Sequence, residues 1–185
     1  KGPSRVQVID PVKFELKKSF VVDAAAYDVT ASDAGIAFIS GGTGDWTDVT
    51  AVDVHKGAVA ARWGGVWARS FVQLDRDQRR LYYSSQGVSP GTLDALVLPA
   101  RLRDDRPATY RAPDHARRSL GGEFLLSPDG RFLLCQTGTV LRLSAERDRD
   151  MQPHARVEPF LAAAVAPDVP AAFLLTRDGL LKQYS

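Results

Sequence analysis

LSPDGRFLL, residues Leu126–Leu134, is the stretch that decides the fold. Its Asp-Gly pair stands between two short apolar runs, and an Asp-Gly pair in that setting is the strongest local signal for a β-hairpin. The same outline returns in the sequences VTASDAGIAFIS, VQLDRDQRRLYYSS and VAPDVPAAFLLT, at residues 29–40, 72–85 and 165–176. The chain is therefore expected to consist of repeats that each contain a hairpin.

The turns recur at the interval of a repeat protein. Asp33, Asp77, Asp129 and Asp168 mark them, and they are separated by 44, 52 and 39 residues. Periods of this size are typical of β-propeller blades or solenoid repeats. Each turn is followed by a β-branched or aromatic run, then a glycine, and then further runs with strand character, so a complete unit is expected to contain four short strands.

The later strands of each unit can be placed from the sequence. Third strands are predicted at residues 50–54, 94–98, 139–143 and in the terminal LLKQY, and fourth strands at Ala58–Trp63, Ala108–Ala112 and Ala155–Phe160. No window of a dozen residues keeps helical spacing without a glycine or proline. The predicted fold class is therefore all-β.

The SPDG turn at Ser127–Gly130, followed by RFLL, resembles the blade signature of bacterial β-propeller repeat proteins of the YVTN, TolB-like and WD-repeat-like kinds. Residues 5–20 (RVQVIDPVKFELKKSF) resemble the third and fourth strands of a YVTN blade, and residues 49–63 repeat that plan. The resemblance implies propeller blades of four antiparallel strands, about four of them in this chain. Because SPDG-type turns are structural, it brings no catalytic residue with it.

One propeller unit is predicted over residues 1–185. Its blades are expected at about 24–66, 67–118 and 119–161, with partial blades at 1–23 and 162–185. This gives seventeen strands, whereas four closed blades need sixteen. Because open sheet edges promote aggregation, we expect a larger ring that is completed by a missing N-terminal segment or by another chain. A closed four-bladed ring with residues 5–10 as a detached arm is the competing interpretation.

The composition is that of a soluble globular domain, with 44% hydrophobic and 25% charged residues and a net charge of +2. That charge gives no field that would indicate a nucleic-acid partner. The arginine-rich stretches at 101–106 and 111–118 also contain aspartates, which favours a solvated loop surface over a basic patch.

No apolar run approaches the ~20 residues of a membrane-spanning helix, so we expect no membrane insertion. Cys135, the single cysteine, is predicted to be a buried strand residue.

Candidate binding residues come from two glycine-containing segments that propeller geometry would place in neighbouring loops on one face, Ser40–Asp48 and Trp63–Arg69. They contain Asp45, Trp46, Asp48, Trp63, Trp67 and Arg69. Aromatic anchors beside an arginine are favoured at protein interfaces, so we expect a protein partner. Two alternatives stay open: packing between blades for Trp63 and Trp67, and calcium ligation by Asp45 and Asp48.

The sequence contains no nucleophile-elbow motif and no phosphate-binding loop with its lysine. His55, His115 and His154 lie in three different units, and none is paired with a second ligand at metal-binding spacing. No catalytic residue, cofactor or metal is expected. The predicted function is a non-catalytic binding or scaffolding module for protein–protein interaction. The alternative is a propeller enzyme of hydrolase or lyase type whose active-site funnel is completed by blades outside this chain.

Overall fold

A computed structural model of the chain describes residues 3–75, 77, 79–102, 107–113, 119–166 and 171–184. Within these ranges the fold is all-β, as predicted. Seventeen strands form five antiparallel sheets, and one short 3-10 turn lies at Arg147–Arg149. The predicted turn residue Asp168 and His115 lie outside the described residues.

The sheets follow the chain in order, and within each sheet neighbouring strands are consecutive in sequence. Sheet 1 contains β1 (Ser4–Ile9) and β2 (Leu16–Val22). Sheet 2 contains β3 (Ala26–Ala31), β4 (Ile36–Gly41), β5 (Trp46–Asp53) and β6 (Ala58–Trp67). Sheet 3 contains β7 (Phe71–Leu74), β8 (Arg80–Ser84), β9 (Leu93–Val97) and β10 (Thr109–Arg111). Sheet 4 contains β11 (Phe124–Leu126), β12 (Phe132–Cys135), β13 (Thr139–Arg142) and β14 (Gln152–Arg156). Sheet 5 contains β15 (Phe160–Val165), β16 (Ala172–Thr176) and β17 (Leu181–Tyr184).

Each hydrophobic cluster lies between two successive sheets. Val22 of sheet 1 packs with Ile39 and Val52 of sheet 2. The cluster between sheets 2 and 3 contains Phe38, Trp63 and Leu81. The cluster between sheets 3 and 4 contains Tyr82, Phe124 and Leu133. The cluster between sheets 4 and 5 contains Leu134, Phe160 and Leu174. The sheets are therefore stacked face to face, and the burial of these side chains holds them in series.

The first strands of sheets 2, 3 and 4 lie side by side. The Val72 backbone N–H donates to the Asp28 carboxylate at 2.9 Å, which joins β7 to β3. The Gln73 side chain donates to the Phe124 carbonyl at 2.6 Å and accepts from the Leu126 N–H at 3.1 Å, which joins β7 to β11. These bonds hold the first strands of sheets 2, 3 and 4 next to one another, because each satisfies a backbone group that faces the neighbouring first strand.

The SPDG turn between β11 and β12 is held by its own side chains. The Ser127 hydroxyl donates to Asp129 at 2.6 Å, and the same carboxylate accepts the Arg131 N–H at 3.0 Å. These two bonds lower the pKa of Asp129 to about 2. Gly130 has φ +71°, a conformation that glycine adopts without strain. In the equivalent turn between β7 and β8, Asp75 instead accepts the Arg79 and Arg80 N–H groups.

The predicted fourth strand of sheet 4 was wrong in its bounds, and so was the detached-arm interpretation of residues 5–10. The fourth strand of sheet 4 is Gln152–Arg156, not Ala155–Phe160, and Phe160 begins sheet 5. Pro153 is tolerated in β14 because this strand is the outer edge of its sheet, where a missing N–H breaks no ladder. Residues 5–10 are not a detached arm, since residues 5–9 pair with β2. Cys135 is fully buried as predicted, and burial raises the pKa of its thiol to about 12.

Candidate binding site between sheets 2 and 3

The two segments with candidate binding residues come together at one end of sheet 2. Trp46 and Trp67 are direct partners in the β5–β6 ladder. The Ala68 N–H donates to the Asp45 carbonyl at 3.0 Å, and the Arg69 N–H donates to the Gly41 carbonyl at 2.8 Å. The prediction that Trp63–Arg69 forms a loop was wrong, because β6 continues to Trp67.

A bulge allows β6 to continue through its two glycines. Thr47 pairs with Val66 and Asp48 pairs with Gly64, so Gly65 is an extra residue in the ladder. Gly65 has φ +91°, which a residue with a side chain adopts only at a cost. The bulge turns the chain so that Val66 is buried while Trp67 lies across from Trp46.

The six predicted residues differ in exposure. Trp46 is 68% exposed, and its ring meets that of Trp67 edge to face at 5.2 Å between centroids. Trp63 is only 4% exposed and stacks on Phe38 in the core, so it packs between sheets. Asp45, Asp48 and Arg69 are exposed at the same end of the sheet.

Sheet 3 supplies an opposite wall that the sequence analysis did not anticipate. Tyr83, Asp94 and Arg111 are neighbours across β8, β9 and β10, and they share one face of the sheet. The Arg111 Nε donates to Asp94 Oδ1 at 2.7 Å. The Asp94 side chain is 8% exposed, whereas the Arg111 side chain is 49% exposed. The guanidinium group therefore covers the carboxylate from the solvent side.

A cavity of about 360 Å³ lies between the two walls. Trp46, Gly65 and Trp67 line it from sheet 2. From sheet 3 and the loop between β8 and β9 it is lined by Tyr83, Ser85, Val88, Ser89, Pro90, Thr92, Asp94 and Arg111. Its size is within the roughly 300–1,000 Å³ typical of ligand pockets, and aromatic walls with a few convergent polar groups are the usual lining of such pockets.

A second polar cluster lies between sheets 3 and 4, at the opposite end of the strands. The buried Asp150 carboxylate accepts from Arg80 at 2.8 Å, from the Tyr82 hydroxyl at 2.9 Å and from the Tyr110 hydroxyl at 2.6 Å. Its other oxygen accepts the Ser144 N–H at 2.9 Å. Burial and the Asp150 carboxylate raise the pKa of both tyrosines, so their hydroxyls stay protonated as donors. These groups satisfy one another, which is the arrangement of a structural tie.

Across the described ranges, no three or more histidine, cysteine, aspartate or glutamate side chains are grouped so that they could hold a metal ion. The described first strands β3, β7, β11 and β15 carry one carboxylate, Asp28, which accepts from Val72. In the same part of the chain there is no helical segment with the length and hydrophobicity needed to cross a bilayer.

Neither a protein-family model nor a curated protein matches this chain. Solved structures do match. The β-propeller domain of Cps50 (Swd1) from Myceliophteria thermophila aligns with a TM-score of 0.63 and 11% identity, over 97% of this chain and 58% of that one. Kuenenia stuttgartiensis hydrazine synthase aligns with a TM-score of 0.59 and 14% identity, over 94% of this chain and 56% of that one.

The chain thus spans somewhat more than half the length of the structures that it matches. At this level of identity the likeness concerns the fold and not the activity. Five sequential antiparallel sheets, stacked face to face, with the first strands of sheets 2, 3 and 4 side by side, agree with that likeness. The chain has a β-propeller fold.

Proposed function

We propose that this chain is a non-catalytic propeller module that binds a protein partner through one end of sheets 2 and 3. The observation that carries the proposal is Trp46. It is 68% exposed, it rests on Trp67, and it lines a cavity whose other wall holds an exposed arginine. An indole in this position keeps a large apolar surface in water, and partner binding removes that surface from water.

The composition of the site supports recognition of a protein. Tryptophan, tyrosine and arginine are the residues that most often contribute large shares of binding energy at interfaces. Here Trp46, Trp67, Tyr83 and Arg111 surround one cavity. Asp45 and Asp48 are exposed at the same end of sheet 2 and would add polar groups to the surface. Trp63 is left out of the proposed surface because it is buried.

The proposal includes a ring that is larger than the strands described. Among the described residues, sheet 1 has two strands and sheet 5 has three, whereas the three sheets between them have four. Each of the two outer sheets therefore has an edge at which further strands can pair. Seventeen strands would be about three fifths of the strands in a seven-bladed ring of four-stranded sheets. This fraction is close to the 56% and 58% of the matching structures that this chain covers. The resemblance makes β1 and β2 the third and fourth strands of a blade. Pairing sheet 5 with sheet 1 of a second copy would then give five strands, which favours completion by a further segment of one polypeptide.

The finer assignment follows from the turns. We infer that the repeats are of the YVTN and TolB-like kind, on the strength of the Ser127–Gly130 turn. The blades are proposed to lie at about 24–66, 67–118 and 119–161, and the partial blades at 1–23 and 162–185. Limits near residues 67 and 160 are supported by β6, which ends at Trp67, and by β15, which begins at Phe160.

The first prediction tests the site through Trp46. Proteins captured by the immobilised chain from extracts of its source are identified by mass spectrometry, purified and titrated against the wild type and Trp46→Ala. We expect Trp46→Ala to raise the dissociation constant at least about tenfold, because exposed aromatic anchors dominate such interfaces. The melting temperature should change by less than about 4 °C, since the lost contact is one exposed ring pair.

Phe14→Ala provides the matched control. Phe14 is 83% exposed. It lies in the link between β1 and β2, and Lys18 of β2 contacts the turn between β5 and β6, at the end of the strands away from Trp46. Loss of binding in Phe14→Ala but not in Trp46→Ala would place the interface at the wrong end. Collapse of the melting temperature in Trp46→Ala would show that Trp46 is part of the core.

A further inference from the structure

We propose that the cavity between sheets 2 and 3 takes a carboxylate group that stands next to a bulky apolar side chain in a peptide segment of the partner. This inference rests on the proposed function and deepens it by naming the chemistry recognised. The juxtaposition that carries it is the exposed edge of Arg111 facing the Trp46 and Trp67 rings across one cavity.

Arg111 is held in a way that leaves it available to a ligand. Among the described residues its carboxylate partner is Asp94, and the bond uses Nε at 2.7 Å. The two terminal Nη nitrogens form the other edge of the guanidinium group, and half of the side chain remains exposed. A planar fork of N–H donors fits a carboxylate with two parallel bonds. Asp94 therefore orients the fork and does not occupy it.

The burial of Asp94 decides whether the cavity favours a positively or a negatively charged ligand group. A cation that entered the cavity would meet the Arg111 guanidinium before it reached Asp94, because the Asp94 side chain is 8% exposed and Arg111 covers it. Like charges in contact are repelled strongly when solvent is displaced. An anion meets the guanidinium directly. The arrangement therefore favours a negative group over a positive one.

The number of cationic groups favours a carboxylate over a phosphate. Of the described residues that line the cavity, Arg111 is the one with a positive charge, and Asp94 already neutralises part of it. A phosphate carries nearly two negative charges at neutral pH and is usually bound by several cationic groups. A single carboxylate matches one guanidinium fork.

The aromatic wall selects the neighbouring side chain. Trp46 and Trp67 meet edge to face, which leaves apolar ring surface toward the cavity, and Tyr83 lies on the opposite wall. Pro90 adds an apolar group from the loop between β8 and β9. An aromatic or large aliphatic side chain beside the carboxylate would cover this surface.

The test uses two libraries of random dodecapeptides displayed on phage and selected on the intact chain. In one library the peptides are attached through their C-termini, so that only side chains supply carboxylates, and in the other the C-terminus is free. We expect selected peptides to share an Asp, a Glu or the free terminus next to an aromatic or large aliphatic residue. The library that yields them identifies the source of the carboxylate.

Selected peptides are then synthesised and titrated against variants. We expect Arg111→Gln to weaken binding at least about tenfold, Arg111→Lys to weaken it less because the charge remains without the fork, and Arg156→Gln, an exposed arginine of β14, to leave it unchanged. Melting curves of each variant check folding, and Arg111→Lys serves as the test if Arg111→Gln does not fold.

The outcomes separate this inference from the proposed function. Peptides that need Trp46 but bind Arg111→Gln as well as wild type would overturn the carboxylate and leave the binding face in place. Selected sequences without an acidic group, or enrichment of basic residues, would also overturn it. Peptides that are indifferent to both Trp46→Ala and Arg111→Gln would contradict the inference and the proposed face together. Failure of both libraries to enrich any sequence would overturn the inference, while partner capture still tests the module by itself.

Discussion

At the scale of single residues, the interfaces between sheets are fixed by a few polar groups within apolar surroundings. Asp150 is the clearest case, since its side chain is fully buried and is bonded to Arg80, Tyr82 and Tyr110 of the neighbouring sheet. A buried carboxylate is tolerated only when its lone pairs are satisfied. Asp150 therefore fixes how sheets 3 and 4 are aligned, in addition to the apolar packing between them.

The second prediction concerns this tie. Asp150→Asn removes the negative charge and leaves the partly buried Arg80 with Asp75 as its remaining carboxylate, at 3.6 Å. Because removing one partner of a buried ion pair leaves the other uncompensated, we expect a loss of about 3 kcal/mol in the free energy of unfolding, measured by urea denaturation.

Glu146→Gln is the control for this prediction. Glu146 pairs with Arg149 on the surface at 3.2 Å, and exposed pairs contribute about 0–1 kcal/mol. Equal losses in Asp150→Asn and Glu146→Gln would mean that Asp150 is not the tie that the contacts indicate.

The sequence anticipated part of the site at this scale. Trp46 and Trp67 were identified as aromatic anchors near an arginine, but the buried state of Trp63 depends on its packing against Phe38 of the same sheet. Tyr83, Asp94 and Arg111 were missed, because they are far apart in sequence and only strand register brings them together. One signal was present: Asp94 is an acid at the start of the apolar strand run DALVL, and a buried acid needs a partner.

At the scale of elements, the β5–β6 ribbon carries the site and the Gly65 bulge shapes it. The ribbon extends beyond the core, so its last pair is Trp46 and Trp67. Bulges re-aim the side chains beside them. Without the bulge, the pairing of β6 with β5 would shift by one position at Val66 and Trp67. Trp67 would then no longer lie directly across from Trp46, and the contact between the two indoles would change.

The third prediction tests this bulge with Gly65→Ala. A methyl group at φ +91° strains the backbone, so we expect a loss of about 1–2 kcal/mol in stability by denaturant titration. A shift in tryptophan fluorescence should accompany the loss, because the Trp46–Trp67 contact moves.

Gly179→Ala separates strain from the effect on the site. Gly179 lies between β16 and β17 of sheet 5, away from the two indoles, with φ +81°, and an added Cβ there would meet no atom within 4 Å. We expect a similar loss of stability with unchanged tryptophan fluorescence. A fluorescence change of the same size in both variants would contradict a specific role for the bulge.

The sequence predicted the elements better than their limits. Strand-like apolar runs, recurring turns that contain aspartate and the YVTN resemblance of residues 5–20 were enough to predict seventeen strands, the number that the described residues form. Gly64 and Gly65 were interpreted as a loop because a glycine pair usually marks one, whereas pairing with β5 keeps them in the strand. The fourth strand of sheet 4 was predicted to begin at Ala155, whereas β14 begins at Gln152 and includes Pro153, which an outer edge strand tolerates.

At the scale of the whole molecule, the described sheets form a series in which the first and the last lack strands that the inner three possess. Exposed apolar residues lie on both of these sheets: Ile9, Leu16 and Val21 on sheet 1, and Leu161, Leu175 and Leu181 on sheet 5. Further strands would pair the free edges, and a further sheet packed against each would cover the exposed side chains. In the proposed function, this series belongs to a larger ring that binds a carboxylate-bearing segment of its partner between sheets 2 and 3.

The most direct test is an experimental structure of the native, full-length protein in complex with its partner. We predict that sheets 1 and 5 each contain four strands in a closed ring, and that a partner segment lies against Trp46 with a carboxylate on the Arg111 guanidinium. A closed ring made only of the strands described, or a partner bound at the end of the strands that carries the Asp129 turn, would contradict this account.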